Sequence, residues 1–399
     1  MFKMTLYGKT MTGNNEDAWR VNSRLWFEPA GNGTYGAAYV GHDNGFPQGG
    51  FNEAGLTYDG FTVPARALQA VTGKEQIKEP GAFLKSLMQH CRTIADVQSL
   101  ADRYDRSIFR NGVFMFVDSS GRYLIMEADT LISGDDPTYV MSNFYPSTVT
   151  DMNAVPIGRY QRGRQFLHNR QDTTLTFCKD VMHAMHECRT RIGDGTTYTT
   201  VFDCQRKIIY LYFYHDYTVV RPYYLEKELQ KGNHMITMPE VFPENQEYQR
   251  FLEFKTPFNS AVLMGSTWGI IGVLVLFTVY WLYYNVFRRR NRLAGYMIWL
   301  MAALNIGLGA YLFLLLQEQS VFYSDTPYYV EGKTVINVLS NTPLALLVLI
   351  IPVGVGNVQV VNTTAVSMWA KRFFTFNTIV YLIALLLFAY WGLLCIIQN

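Results

Sequence analysis

Four long apolar stretches crowd the last third of this chain, and they constrain its architecture more than any other feature. They run over residues 262–287, 293–316, 335–360 and 374–397. Each reaches the roughly 20 residues needed to cross a hydrocarbon core about 30 Å thick. One such stretch alone would read as a buried core helix. Four in succession, almost without charge, read as an all-α bundle of four transmembrane helices. From residue 262 onward the chain holds seven Lys or Arg and three Asp or Glu, whereas the first 261 residues hold 27 and 29. That near balance is the surface of a water-facing domain. The expected division is therefore 1–257 and 258–399. The third stretch contains Pro343, Pro352, Gly354 and Gly356, so a kinked or short span is expected there.

The loops orient the bundle. Arg288, Arg289, Arg290 and Arg292 lie between the first two stretches, and Lys371 and Arg372 between the last two. The loop over 317–333 carries Glu318, Asp325 and Glu331 against one lysine, with Tyr323, Tyr328 and Tyr329 suited to an interface. Cytoplasmic loops collect Lys and Arg. The expectation is a multi-pass protein of the cytoplasmic (inner) membrane with residues 1–261 on the extracytoplasmic side. A domain exported in this way needs a signal, and residues 1–9 show no basic start followed by an apolar run, so a signal peptide ahead of Met1 is expected. No acid or base inside the spans forms a pathway, which argues against a transporter or proton channel. A net charge of +2 gives no field for nucleic acid.

The first part reads as alternating strands and helices. Residues 36–41 and 56–63 look like strands bounded by glycine. Residues 82–90, 94–104, 162–169 and 175–188 have helical spacing. Residues 113–117 and 123–127 form a hairpin across Asp118-Ser119-Ser120-Gly121, and 198–203 with 207–214 form another. This is the pattern of a layered α+β domain. Cys91, Cys178, Cys188 and Cys204 allow up to two disulfides, without a recognisable framework. His183 and His186, three apart on a helix, lack a third ligand, so no metal site and no cofactor are expected. Residues 218–261 suggest a short polar helix and a linker.

Six blocks, in order, carry a resemblance. They are GKTMTGNNED, GGFNEAGLTYDGFTVP, FVDSSGRYLIMEAD, SNFYPS, PIGRYQRGRQFL and TTYTTVFDCQRKIIYLYFYHDY. Together they make residues 1–217 similar to the choloylglycine hydrolase and penicillin V acylase family of N-terminal nucleophile hydrolases, within the broad group of linear amide hydrolases. The resemblance implies an αββα sandwich. It also implies an N-terminal cysteine whose thiol attacks an amide carbonyl. The cysteine's own α-amino group, of ordinary pKa about 7.7–8.0, takes the proton. No cysteine precedes Cys91. The family pattern C-T-x-F puts Phe2 three positions after the nucleophile, which is therefore expected just ahead of Met1.

Other roles follow by position. Asp17 matches the aspartate that orients the amine; on residue type alone it is a turn aspartate. Asn143 matches an asparagine that helps hold the oxyanion, a donor worth about 3–4 kcal/mol. Arg159 matches an arginine near the nucleophile, while Arg162 and Arg164 read as a solvated helix face. Asn14 stands where many relatives have arginine, and Asn15 reads as a turn residue. Thr62 stands where an asparagine of the oxyanion hole is usual. Trp26, His42 (in a glycine-rich loop) and Phe46 are candidates for the substrate pocket. The expected function is a membrane-anchored hydrolase of linear amides acting on a small, lipid-like acyl amide. An acyltransferase using the same acyl-enzyme, and an inactive ligand-binding or sensing domain on a membrane anchor, remain open. A homo-oligomer is compatible with all three.

Overall fold

The computed structural model describes residues 1–68, 73–169, 172–188, 192–287, 292–324, 326–330, 333–364 and 366–395. The arginines at 288–290, the acids at 325 and 331 and the last four residues lie outside that set. The chain forms two compact units, Met1–Leu252 and Glu253–Asn399.

The first unit opens with a hairpin of β1 (Phe2–Leu6) and β2 (Lys9–Ala18). Tyr7 and Gly8, both at positive φ, make its two-residue turn, the geometry that matches strand twist. Next come β3 (Ser23–Glu28), β4 (Ala37–His42), β5 (Pro47–Asn52) and β6 (Thr57–Thr62). Asn52 builds the β5–β6 turn. Its Oδ1 accepts from the backbone N–H of Ala54 and Leu56, and its Nδ2 donates to Met88 O and Cys91 O at 2.7 and 2.9 Å. The N-E-x-G-L block is thus a structural joint. Strand β7 (Glu75–Gln76), helices α1 (Pro80–His90) and α2 (Ile94–Ala101), and β8 (Tyr104–Asp105) follow. Then come β9 (Gly112–Val117), β10 (Tyr123–Met126), β11 (Leu131–Gly134) and β12 (Thr138–Val140). Helices α3 (Gly158–Asn169) and α4 (Leu175–Met185) precede β13 (Gly195–Asp203), β14 (Ile208–Phe213) and β15 (Asp216–Tyr224). The unit closes with α5 (Leu225–Leu229), β16 (His234–Thr237) and α6 (Gln246–Glu253).

Two sheets face each other. One has the order β12-β1-β2-β13-β14-β15, the other β11-β10-β9-β6-β5-β4-β3-β16. Phe51 of the second stacks on Phe202 of the first at 5.1 Å, and Met1, Phe61, Met115 and Ile125 share the space between them. The outer face of the second sheet packs Tyr39, Tyr58 and Phe116 under Leu84, Leu87 and Val97 of α1 and α2. The outer face of the first packs Phe2, Met11 and Val201 under Tyr160, Val181 and Met182 of α3 and α4. The result is the mixed αββα sandwich expected from the sequence.

Several local expectations change. Residues 218–261 hold β15 and β16 as well as helix. Strand β4 runs through His42, which is therefore not in a loop. Asn15 lies within β2, not in a turn; its side chain donates to Met182 O at 3.0 Å and accepts from Thr199 Oγ1 at 2.6 Å. All five cysteines are free thiols.

Among the described residues, the second unit holds four helical segments long and apolar enough to cross a membrane. They are α7 (Ala261–Phe287), α8 (Arg292–Gln317), a third formed by α9 (Thr334–Leu339) with α10 (Thr342–Asn362), and α11 (Met368–Trp391). The third is interrupted at Ser340 and Asn341, where Pro343 in the first turn of α10 has no N–H to carry the hydrogen-bond ladder back across the break. Pro352 sits inside α10. The fourth begins at Met368, capped by the Ser367 side chain, and stops at Gly392 with φ +70°. It therefore lies about six residues earlier than the apolar stretch suggested, because a left-handed glycine closes the helix there.

Candidate active site

Three sequence-distant residues meet on one hydrogen-bonded chain. Arg159, in the first turn of α3, donates from Nη1 to Asp17 Oδ2. Its Nη2 donates to Asn143 Oδ1 at 2.9 Å and its Nε to Ser142 Oγ at 3.2 Å. Asp17, near the end of β2, takes a further bond at its other oxygen from Thr196 Oγ1 at 2.6 Å. Arginine only donates, so it fixes the Asn143 amide with oxygen toward the guanidinium and nitrogen away. That nitrogen gives one hydrogen to Thr62 O at 2.8 Å and has a second to offer. Thr62 takes part through its backbone carbonyl, and its residue is exposed. Burial pushes the Asp17 carboxyl above the usual range, while Arg159 and Thr196 pull it back.

The cluster surrounds the leading end of β1. Met1 is buried and paired with Met141, its N–H donating to Met141 O at 3.1 Å and its carbonyl accepting from Met141 N at 2.9 Å. An amine here is pushed down to about 5 by burial, opposed by Asp59, with Arg159 pushing the same way. Strand β1 pairs Phe2 with Gly13 on one side and with Val140 on the other. Continuing that register, a residue two places ahead of Met1 falls between Glu16 and Asn143.

Asp59 is the member that sequence reasoning missed. It lies in β6, 1% exposed. One oxygen accepts from Gly60 N at 2.8 Å, and Oδ2 has no partner among the described residues. Burial, with Glu16 adding repulsion, pushes its carboxyl well above the usual range. An acid in the middle of the strand Thr57-Tyr58-Asp59-Gly60-Phe61 was the available signal. Asn14 is buried in β2 between Gly13 and Asn15.

His42 is 3.6 Å from Glu16, through Nε2, and has a buried Nδ1 without a partner among the described residues. It lines a cleft of about 730 Å³ with Trp26, Arg24, Glu28 and Met235. Phe46 lies elsewhere, packed against the core under α1 and α2. Arg162 donates to Ala184 O and His186 O at the end of α4, and Arg164 to Met152 O, so both tie loops down.

No protein-family model and no curated protein matches the chain. Among solved structures, the chain is similar to the conjugated bile acid hydrolase of Clostridium perfringens, with 16% identity and a TM-score of 0.48 over 62% of this chain and 98% of that one. A second structure of that hydrolase gives 15% and 0.47, over 61% and 97%. Penicillin V acylase of Agrobacterium tumefaciens gives 14% and 0.46, over 59% and 90%.

Proposed function

We propose that residues 1–257 hydrolyse a linear amide through an acyl-enzyme, outside the membrane that the four helices cross. The observation that carries this reading is the meeting of Asp17, Asn143 and Arg159, from three separate blocks, beside the leading end of β1. The nucleophile is a cysteine joined ahead of Met1, where the strand register leads between Glu16 and Asn143. Its α-amino group takes the thiol proton, and the thiolate attacks the carbonyl carbon. The second amide hydrogen of Asn143 meets the oxyanion. Arg159 holds Asn143 and Asp17 in place, and Asp17 steadies the protonated amine. That amine gives its proton to the leaving group, and water then cleaves the thioester.

The cysteines within this domain do not supply the nucleophile. Burial pushes the thiols of Cys91 and Cys178 up to about 12, that of Cys188 up to about 11 and that of Cys204 further still, so thiolate is scarce. The apolar helices favour a lipid-like acyl amide.

The test is protein expressed from the longest reading frame, with mass spectrometry of its mature end and labelling by an electrophilic acyl probe. A mature N-terminal cysteine that labels, with hydrolysis of long-chain acyl amides in vesicles, supports the enzyme. A retained Met1 with no label and no hydrolysis leaves the binding or sensing module. An added amine that becomes acylated at the expense of hydrolysis identifies the acyltransferase.

A further inference from the structure

Cys188, His215 and Glu247 come together from three separate parts of the first unit. Cys188 follows α4 and bridges to Gly195. His215 sits in the turn between β14 and β15. Glu247 lies in the first turn of α6. Glu247 Oε2 is 2.8 Å from His215 Nδ1 and 3.9 Å from Cys188 Sγ. One ligand atom from each residue lies within 4.8 Å of the other two. The His215 side chain is only 5% exposed, and its Nε2 is buried without a partner among the described residues.

The set is held in place by contacts that need no ion. Tyr214 and His215 have φ of +48° and +64°, the left-handed region that side chains avoid. Asn245 fastens this turn to α6: its Nδ2 donates to Tyr214 O at 2.9 Å, and its Oδ1 accepts from Glu247 N and Tyr248 N, both at 3.0 Å.

We propose that Cys188, His215 and Glu247 bind one divalent transition-metal ion, zinc by the chemistry of the set, with water as the fourth ligand. Thiolate, imidazole and carboxylate are the donors zinc takes in four-coordinate sites; calcium and magnesium call for oxygen alone. Bonds of about 2.0–2.3 Å put two ligands of a tetrahedral zinc roughly 3.3–3.8 Å apart. The set therefore closes by about an ångström at its widest. Binding breaks the Cys188 S–H bond, forms the sulfur–zinc bond and releases one proton to solvent. Protons compete with the ion for the three ligands, so zinc uptake weakens as pH falls.

Arg250 Nη2 lies 3.8 Å from the other carboxylate oxygen, Glu247 Oε1, and leaves Oε2 to the metal. His183 and His186, the pair that the sequence pointed to, stack on each other at 4.9 Å and belong to no cluster of three ligands among the described residues. The ion would tie α6, the last helix before the apolar segments, to the β14–β15 turn.

The test uses the full-length protein in detergent, stripped with a chelator in the presence of a phosphine reductant, then titrated with Zn²⁺ and separately with Co²⁺. One equivalent of zinc is expected, a higher unfolding midpoint with zinc than without, and a near-ultraviolet thiolate-to-cobalt charge-transfer band. Cys188→Ser, His215→Ala and Glu247→Gln should each weaken zinc binding by about 100-fold or more, while His183→Ala and His186→Ala retain it. A Cys188→Ser protein that binds as tightly as the wild type overturns the proposal. Should the variants fail to fold, the wild-type cobalt spectrum decides alone, and a missing thiolate band overturns it equally.

Discussion

Asn305, Asn377, Trp281 and Tyr381 form a polar knot between α7, α8 and α11, and they contrast with the cluster of Asp17, Asp59, Asn143 and Arg159 in the first unit. In the helices every polar side-chain atom of the knot has a partner. Asn377 Oδ1 accepts from Trp281 Nε1 and from Asn305 Nδ2, both at 3.0 Å. Asn305 Oδ1 accepts from Asn377 Nδ2 at 2.9 Å and from Tyr381 OH at 2.6 Å. No charge is used. Around Met1 the opposite holds: charges are buried, and Asp59 Oδ2 has no partner among the described residues. Hydrocarbon offers no water to complete an unfinished polar group, so a knot there must be saturated. A site that receives water or substrate can stay unsaturated, and the unfinished group is then what a ligand completes.

The largest effect expected from breaking the open cluster is at Arg159. Arg159→Ala frees Asn143 and Asp17 together and should lower kcat/KM for the amide that is hydrolysed by about 10²–10³-fold. Arg159→Lys should recover little, since a point charge cannot hold both partners. Because the residues act as a unit, Arg159→Ala with Asn143→Ala should cost no more than the larger single change. Full additivity in steady-state kinetics would mean that the two work separately.

Asp59 sharpens the contrast through pH. Between the unfolded pKa of about 3.9 and its raised native value, the native chain keeps a proton that the unfolded chain has lost. That contribution to stability is whole below about pH 4 and drains away as pH rises through the native pKa, by up to about 1.4 kcal/mol per pH unit. Asp59→Asn should remove that slope. Denaturant midpoints of both proteins from pH 4 to 8 measure it, and parallel curves would show that Asp59 titrates normally.

Asn377→Leu tests the closed knot. It strands Trp281 Nε1 and Asn305 at once and should cost about 1–2 kcal/mol, read as a lower unfolding midpoint in detergent. Adding Asn305→Leu should cost less than the sum, because both partners are then apolar. An additive pair would deny that the two amides are coupled.

Thr62→Ala is the smallest change. The contact to Asn143 uses the backbone carbonyl, and the residue is exposed, so kcat/KM should stay within about twofold of the wild type. A tenfold loss would give the hydroxyl a role that the geometry does not.

Much of this was legible in the chain. The turn Asp118 to Gly121 between two apolar runs marked the β9–β10 hairpin. The four apolar stretches announced their helices by length alone. The ends of those helices were less legible, because Gly392 and the Ser340–Pro343 segment act through backbone geometry rather than hydropathy. Motif order brought Asp17, Asn143 and Arg159 onto the list. It missed Asp59, an acid inside a segment that reads as a strand, because no local pattern shows that its carboxyl is sealed from solvent, and it could not show that Phe46 packs beside the core under α1 and α2.

By itself the sequence determined the division of the chain and the layered α+β character of its first part, and the resemblance carried by its motifs implied the αββα arrangement and the residue types for amide chemistry, since periodicity, length and motif order are local properties. Only the tertiary structure decided which of those residues touch. Hydrogen bonds between positions 142 residues apart, and a Cys–His–Glu cluster gathered from 188, 215 and 247, arise from strand register and helix docking, which no local pattern encodes.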